Sequence, residues 1–314
     1  MLIWVGFLVF ILFLLALDLG VLNREAHVIS ASEALGWTTL WVSISLLFGV
    51  VVFFAYRQGW VDSELSGQRA VLDYLSGYLV ELSLSMDNIF VIALVFRYFQ
   101  VPDQNQHRVL FWGILGAIVF RGIMIGLGIV LLNQFSWMTY VFGAILLYAA
   151  VRMLRPDQEI RPERNPLIRW LRKVFPVTKG YEGDKFFVRK RHLLAATPLF
   201  VALLVVEVTD IMFAFDSIPA IFAITKEPFL VFSSNIFAIL GLRSMYFLLA
   251  AVMGRFTYIK YSLVAILLYV AAKMLLHEVV HPPQWLSLAV IVLLLGGGIG
   301  ISLLWGGRDE VKTE

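Results

Sequence analysis

Long apolar stretches, separated by short polar segments, dominate the pattern of this sequence. Each stretch has roughly the 20 residues that an α-helix needs to cross the hydrocarbon core of a bilayer. We therefore predict an all-α, polytopic membrane bundle of about nine transmembrane helices, forming a single domain over residues 1–314. The predicted spans are 2–22, 37–56, 71–96, 109–132, 136–154, 193–224, 230–253, 257–276 and 284–305.

The composition supports a membrane protein. The chain is 60% hydrophobic and 15% charged, with a mean hydropathy of +0.85, and a soluble domain this apolar would aggregate. It contains no cysteine, which excludes disulfides, thiolate metal sites and thiol redox chemistry within the chain. The N-terminal apolar run has no basic segment before it and no small-residue cleavage site after it, so we interpret it as the first span.

The positive charges are unevenly distributed. Residues 152–192 carry 12 of the 25 Lys and Arg. With the N-terminus outside, the predicted cytoplasmic segments hold 19 basic residues and the external segments hold 4. Cytoplasmic loops of membrane proteins are enriched in Lys and Arg. The sequence therefore predicts a multi-pass protein with an external N-terminus and a cytoplasmic C-terminus.

The long basic segment 155–192 contains one pattern typical of a helix. Asn165-Pro166 resembles a helix start, and apolar residues then recur at helical spacing opposite basic ones. We expect a short amphipathic helix over about 166–177 that lies on the anionic lipids of the inner leaflet. A loop whose basic residues only fix the topology would account equally for the charge count.

An internal repeat relates residues 71–154 to residues 193–276. The segments 144–154 (AILLYAAVRML) and 265–275 (AILLYVAAKML) match at 8 of 11 positions. Each half also has the same order of features: an acidic pair, an Arg within a span, then the AILLY segment. Because each unit has three spans, the two copies enter the membrane from opposite sides. Inverted repeats of this kind place their substrate site near the midplane where they meet.

Acidic residues interrupt the apolar runs in both halves. The first half has Glu81 and Asp87, and the second has Asp210 and Asp216, with Glu207 one turn before Asp210. A charged side chain at the centre of a bilayer costs about 2.5–3.5 kcal/mol even on insertion scales, and such residues persist where they pair, line water or hold an ion. The two matched clusters predict a pathway for a cation.

The spacing within each acidic pair leaves two geometries open. Residues six apart differ by about 240° on an ideal helix, so the two acids would not share a face. Either two faces of each helix line an aqueous path, or the helix is interrupted between the acids. Pro219 favours interruption in the second half, because it has no N–H and the carbonyl of Phe215 loses its donor. A freed carbonyl beside Asp216 would then be an additional ligand.

Two arginines within the spans, Arg121 and Arg243, are predicted to be counter-charges. Five acids supply up to five negative charges and the two Arg supply two positive ones, so a divalent ion would bring the site close to neutral. The alternative, that each Arg pairs with an acid only to stabilise the bundle, stays open. Protonation of some acids would couple ion movement to protons.

The available donors indicate the class of metal. Carboxylate, amide and carbonyl oxygens suit Mg²⁺, Ca²⁺ and Mn²⁺, whereas zinc and copper favour His or Cys. The five His lie in loops or at span ends: His27, His107, His192, His277 and His281. Met86 and Met212 lie beside the acids, and a thioether among hard ligands would shift selectivity towards Mn²⁺. No motif of a known enzyme class is present, so we expect no enzymatic activity and no cofactor.

Three segments resemble the TerC family of integral membrane proteins, most closely its bacterial Alx-like branch: ELSLSMDNIFV, VEVTDIMFAFDSIPAIFAIT and SNIFAILGLRSMYFLLA. The resemblance covers nearly the whole chain. It implies a nine-span protein of the lysine-exporter-like transporter grouping in the bacterial inner membrane, associated with manganese efflux. The family's functional positions correspond here to Glu81, Asp87, Asn88, Glu207, Asp210, Asp216 and Ser217.

The leading hypothesis is therefore an exporter of divalent cations, above all Mn²⁺, through a carboxylate site at the midplane. A second is an accessory factor in membrane protein assembly, for which 155–192 is the one sizeable partner surface. A third is a transporter of Ca²⁺ or of a tellurite-related oxyanion, although surplus negative charge disfavours oxyanions. We expect no nucleic-acid partner.

Overall fold

The computed structural model describes residues 2–20, 31–135, 137–154, 176–178, 180–190, 193–252, 259–276, 278–279 and 283–305. Within them the chain forms nine α-helices and one antiparallel hairpin of two strands. In chain order these are α1 (Leu2–Gly20), α2 (Ala31–Arg57), α3 (Gly67–Phe99), α4 (Asp103–Gln134), α5 (Met138–Met153), β1 (Phe187–Lys190), β2 (Leu193–Ala196), α6 (Pro198–Phe222), α7 (Pro228–Val252), α8 (Ile259–Leu275) and α9 (Gln284–Trp305).

The helices have the lengths and compositions of membrane spans. By those two criteria α2, α3, α4, α6, α7 and α9 can each cross a bilayer, and α1 and α5 are shorter apolar helices. Many large apolar side chains are exposed on the outside of the bundle, as on the face of α4 that carries Val119, Ile123 and Leu127. The prediction of an all-α polytopic membrane bundle is confirmed.

The segment before α6 differs from its predicted span. Residues 193–196 form β2, which pairs with β1 in the register Phe187↔Ala196 to Lys190↔Leu193. The helix begins only at Pro198, because proline is favoured in the first helical turn, and Thr197 donates from Oγ1 to the carbonyl of Lys185 at 2.7 Å. The apolar run LLAA therefore belongs to a hairpin at the end of the bundle.

Most of the predicted amphipathic helix at 166–177 lies outside the described residues. The part that the structure describes, 176–178, is not helical. There Val177 forms an isolated bridge with Ala196, so the segment runs beside the hairpin. Contact with anionic lipids at 166–175 stays a prediction.

The central helix of the bundle is α7. The most apolar stretch of α7 is 94% buried, and the helix packs against α2, α3 and α4. On one side of α7, rings from α1, α2 and α3 form an aromatic cluster, in which Phe48 and Phe237 have centroids 4.7 Å apart. Close packing of aromatic rings holds the first two helices against the six that form the predicted repeat.

The contacts among those six helices are nearly symmetric. The main pairs are α3 with α7 and α4 with α6, then α3 with α6, α4 with α7, and α5 with α8. Exchanging α3–α5 for α6–α8 converts this set of pairs into itself. In the last pair Gly143, near the start of α5, lies against Leu275 at the end of α8, as in an antiparallel pair. This arrangement is what an inverted repeat of 71–154 and 193–276 would produce.

The junction between α2 and α3 is tightly packed. Ser66 caps α3 by accepting a bond from the backbone N–H of Arg69 at 3.3 Å. A Cβ atom on the next residue, Gly67, would lie 2.6 Å from the backbone carbonyl oxygen of Phe53 in α2. Because a backbone atom cannot move aside as a side chain can, this position requires glycine.

We expect Gly67→Ala to destabilise the protein by about 1–3 kcal/mol, the usual cost of overpacking. The measurement is the midpoint of thermal unfolding in detergent, followed by fluorescence-detected size exclusion. Gly36→Ala is the matched control, because a Cβ on Gly36 in α2 would meet nothing within 4 Å. Equal midpoints for the two variants would contradict the packing at this junction.

Candidate cation-binding centre

The buried face of α4 carries one charged residue at its centre. The buried positions follow helical spacing from Val109 to Leu132, and Arg121 lies among them with none of its side chain exposed. A guanidinium cannot lose its proton in a protein, so this buried cation must be neutralised by its neighbours. The structure supplies them from three other helices.

Arg121 binds two carboxylates. Its Nη1 donates to Oε1 of Glu81 on α3, whose side chain is also fully buried. On the other side, Nη2 and Nε donate to the two oxygens of Asp210 on α6, at 3.1 and 3.4 Å. A bidentate contact of this kind is the strongest geometry for an Arg–carboxylate pair. One positive charge thus joins a negative charge from each half of the chain.

Two neutral oxygens complete the environment of Arg121. Nη1 lies 3.0 Å from Oδ1 of Asn235 on α7 and 3.4 Å from the hydroxyl of Ser217 on α6. Asn235 is itself oriented by a bond from its Nδ2 to the carbonyl of Val231 at 3.1 Å. Five oxygens, from two carboxylates, an amide and a hydroxyl, therefore surround one cationic group.

The same seven-residue spacing relates polar residues in the two repeats. Glu81 and Asn88 are seven residues apart on α3, and so are Asp210 and Ser217 on α6. Seven residues are close to two full turns, so the members of each pair share one helix face. Ser85, one turn beyond Glu81, donates to the Glu81 carboxylate at 3.3 Å. The face that carries Glu81 and Asp210 is the one directed at Arg121.

Several buried oxygens near this centre have no hydrogen-bond partner among the described residues. They are Oε2 of Glu81, Oδ1 of Asn88 and Oε2 of Glu207. Glu207 lies one turn before Asp210, and its carboxylate packs on Gly116 of α4, where a Cβ would come within 2.1 Å of it. Buried polar atoms are normally paired, so these oxygens are available to water or to an ion.

The interruption that Pro219 favoured in the second half is wrong, and the helix of the first half is not interrupted between its acids either. α3 and α6 are continuous through 81–87 and 210–216. Pro219 lies within the last turn of α6, where the N–H of Ala223 still reaches its carbonyl at 3.1 Å. The missing N–H of Pro219 therefore leaves the helix intact where the acids lie. The other geometry, two faces of one helix, is the one that the structure has.

The second acid of each pair is accordingly separate from the first. Asp216 lies about 240° around α6 from Asp210, is half-buried, and interacts electrostatically with Arg152 at the end of α5. Asp87 lies in α3, but its side chain is outside the part of the chain that the structure describes. The structure thus brings Glu81, Asp210 and Ser217 together, and it places Asp216 on another face.

Arg243, the other predicted counter-charge, lies elsewhere in the bundle. It is 6% exposed, and its Nη1 is 3.0 Å from Nε2 of His107 on α4. His107 was predicted from the sequence to lie at a span end, and it lies in the second turn of α4. A role for Arg243 as counter-charge to the acids stays a prediction.

The described side chains, which exclude that of Asp87, contain no group of three or more His, Asp or Glu arranged to hold a metal ion. Two carboxylates of the predicted metal set are bound to Arg121 instead. The guanidinium of Arg121 lies between carboxylates for which the sequence predicted a divalent cation. Sequence reasoning also missed Asn235, although the run Ser233–Asn235 inside an apolar span was a signal.

Comparison with known proteins gives one family. Residues 66–310 match the model of the "Integral membrane protein TerC family". An uncharacterized membrane protein of Myxococcus xanthus is 47% identical over 302 residues, covering 96% of this chain and 92% of that protein. A protein of Escherichia coli strain K12 with the name "Putative membrane-bound redox modulator Alx" is 46% identical over 296 residues, covering 94% and 92%. No solved structure matches.

We expect Arg121→Met to lower the stability of the protein by about 3–5 kcal/mol, because it leaves two buried carboxylates without their counter-charge. Adding Glu81→Gln and Asp210→Asn to this variant removes those charges and restores much of the loss. The measurement is the thermal midpoint in detergent with a chelator present. Arg97→Met, at an exposed position of α3, is the control. An Arg121→Met protein as stable as wild type would show that the carboxylates do not depend on Arg121.

Proposed function

Because the chain belongs to the TerC family of integral membrane proteins, we propose that it is a transporter that exports divalent cations, above all Mn²⁺. The observation that carries the proposal is the set of five oxygens held by Arg121 between α3, α6 and α7. We place the protein in the bacterial inner membrane with its N-terminus outside and its C-terminus in the cytoplasm, on the distribution of Lys and Arg.

The donor atoms support the class of ion. Carboxylate, amide and hydroxyl oxygens are ligands for hard divalent cations, which take six to eight oxygens when calcium-like and six when magnesium-like. The unpartnered oxygens of Glu81, Asn88 and Glu207 would add to the five that Arg121 holds. The centre is therefore suited to a cation that exchanges with a guanidinium.

The choice of Mn²⁺ rests on the family resemblance rather than on the thioethers. Met212 is 51% exposed and lies about 200° around α6 from Asp210, so it is not at the centre. Met86 is half-buried and packs against the aromatic side of the core. The oxygens alone would accept Mg²⁺ or Ca²⁺ as well.

In the mechanism that we propose, Arg121 and the transported cation compete for the same oxygens. In one state Arg121 neutralises Glu81 and Asp210, and the buried charges balance without a metal. In the other state the divalent cation takes these oxygens and Arg121 turns to another acid. Glu207 suits that role, because it lies one turn from Asp210 beside α4 and has a buried oxygen without a partner.

This exchange would prevent an empty, highly charged site from forming in the bilayer. An unpaired carboxylate in a low-dielectric interior is costly, and a guanidinium that follows the departing ion avoids this cost. The symmetric contacts of α3–α5 and α6–α8 are suited to two related conformations, open alternately to each side. Asp87 and Asp216, on other faces of α3 and α6, would then belong to the access paths.

Relatives of this chain carry a name that refers to redox modulation. Thiol–disulfide exchange is not available to a chain without cysteine. In our proposal, a redox effect of this protein would arise from the metal ion that it moves. The alternative of an assembly factor depends on residues 155–192, of which 155–175, 179, 191 and 192 lie outside the described residues.

The test is the flux of Mn²⁺ into proteoliposomes that hold purified protein and an internal fluorescent chelator. We expect wild-type protein to carry Mn²⁺. We expect Asp210→Asn to lower the rate of Mn²⁺ flux by about tenfold or more, because one of the two charged ligands becomes neutral while keeping its shape. Asp103→Asn is the matched control, since it makes the same change at an exposed residue in the first turn of α4.

Wild-type protein that moves no Mn²⁺ under either polarity of the ion gradient would contradict the proposal. So would Asp210→Asn protein, folded and reconstituted at the same density, that transports at the wild-type rate. Repeating the assay with Mg²⁺ and Ca²⁺ in place of Mn²⁺ measures the selectivity.

A further inference from the structure

A second group of buried polar residues lies where α2 ends and α3 begins. It consists of Tyr56, Asp73, Ser76, Thr225 and Glu227, and we refer to it as the junction cluster. Tyr56 is in the last turn of α2, Asp73 and Ser76 are in α3, and the other two are in the α6–α7 connection. The centre around Arg121 contains none of these residues.

Three members of the junction cluster have buried atoms without a partner among the described residues. They are the hydroxyl of Tyr56, Oδ1 of Asp73 and the hydroxyl of Ser76. The exposed fractions of these residues are 6%, 2% and 0%. A buried polar atom left unpaired destabilises the folded state. Buried groups of this kind are commonly satisfied by internal water.

The charges that face Asp73 come from three elements. Arg69 lies one turn earlier on α3, Lys273 is on α8, and Glu227 is on the α6–α7 connection, while Thr225 bonds to the Asp73 side chain. Two carboxylates and two cations therefore face one another, and the cluster is close to neutral. Such a group binds water readily and does not hold a divalent cation tightly.

The junction cluster adjoins a groove that opens to solvent. Glu227 accepts a bond from the hydroxyl of Ser63 at 2.7 Å, and it also lines a groove together with Trp4, Trp60 and Asp62. The cluster therefore continues to the surface at this end of the bundle.

On its other side the junction cluster continues towards the centre along one face of α3. Asp73, Ser76, Gly77 and Glu81 follow at i, i+3, i+4 and i+8, which is one helix face. Asp73 is eight residues, or roughly 12 Å, from Glu81 along the axis. Between them α3 touches α7: a Cβ on Gly77 would lie 3.0 Å from Oγ of Ser234. Gly77 thus marks a constriction between two polar regions.

We propose that the junction cluster is a hydrated vestibule, through which cations pass between the Arg121 centre and the membrane surface, closed from that centre at Gly77 in this structure. Its ligands are water and, in transit, a hydrated divalent cation, for which Asp73 is the vestibule carboxylate that lies on the same face of α3 as Glu81. The passage of cations rests on the proposed function, whereas the presence of water does not.

The test uses single cysteines, since the chain has none of its own. Ser76→Cys lies in the vestibule and Ser85→Cys lies beyond the constriction. Leu75→Cys lies at the depth of Ser76 but about 100° around α3, where Leu75 packs against the apolar core. A membrane-impermeant cationic methanethiosulfonate reagent is added to each side of reconstituted membranes in turn. Only a hydrated thiol ionises and reacts, so we expect Ser76→Cys to react from one side about tenfold faster than Leu75→Cys.

Ser85→Cys is expected to react as slowly as Leu75→Cys while no substrate cation is present. A Ser76→Cys rate equal to that of Leu75→Cys would overturn the vestibule, and a Ser85→Cys rate equal to that of Ser76→Cys would overturn the constriction. Thr225→Cys, across the cluster from Asp73, repeats the vestibule test if Ser76→Cys does not fold.

A transport measurement tests the role of Asp73 separately. We expect Asp73→Asn to lower Mn²⁺ flux while Asp103→Asn, at an exposed residue outside the vestibule and its groove, leaves it unchanged. Labelling of Ser76→Cys requires no transport, so it reports on the vestibule even if the protein carries no Mn²⁺. Rapid labelling together with unchanged flux in Asp73→Asn would overturn the role of Asp73 in the path.

Discussion

The ion pairs of Arg121 are the interaction on which the centre of this protein depends. One buried guanidinium neutralises Glu81 from the first half of the chain and Asp210 from the second. Separating these charges inside a bilayer would leave each of them uncompensated, at a cost of several kcal/mol per ion. The halves are therefore held together at the centre of the bundle by a charge rather than by apolar packing alone. The same pairing makes these oxygens suitable for exchange with a cation.

The surrounding helices keep this centre away from lipid. α7 is almost entirely buried and supplies Asn235, while α3 and α6 present matched polar faces with a period of two turns. Backbone groups in a membrane must be satisfied within the helix, so a continuous α3 and α6 cost less than broken ones. Polar side chains on intact helices can then supply the site without unwinding.

The sequence was sufficient for the helices and for the identity of the polar residues, but not for their partners. The lengths of the apolar runs predicted nine spans. The error at 193–196 arose because hydropathy alone does not show whether the apolar run LLAA forms a strand or a helix. Helical periodicity showed that Glu81 and Asp87 would lie on different faces of a continuous helix. It could not show whether α3 is continuous or is broken between them. The contact between Arg121 and Asp210 joins residues 89 positions apart, and no local pattern encodes it. Arg243, similar by position, lies against His107, a contact that the repeat did not predict.

The central claim is that Arg121 and a divalent cation compete for the same oxygens, and the thermal midpoint of Arg121→Gln against Mn²⁺ concentration tests it most directly. A ligand that binds the folded state raises its stability by RT ln(1 + [L]/Kd), where [L] is the free ligand concentration. We expect Arg121→Gln to be less stable than wild type without metal and to gain more stability from Mn²⁺, since the vacated carboxylates then bind the ion. An equal or smaller gain than that of wild type would contradict it.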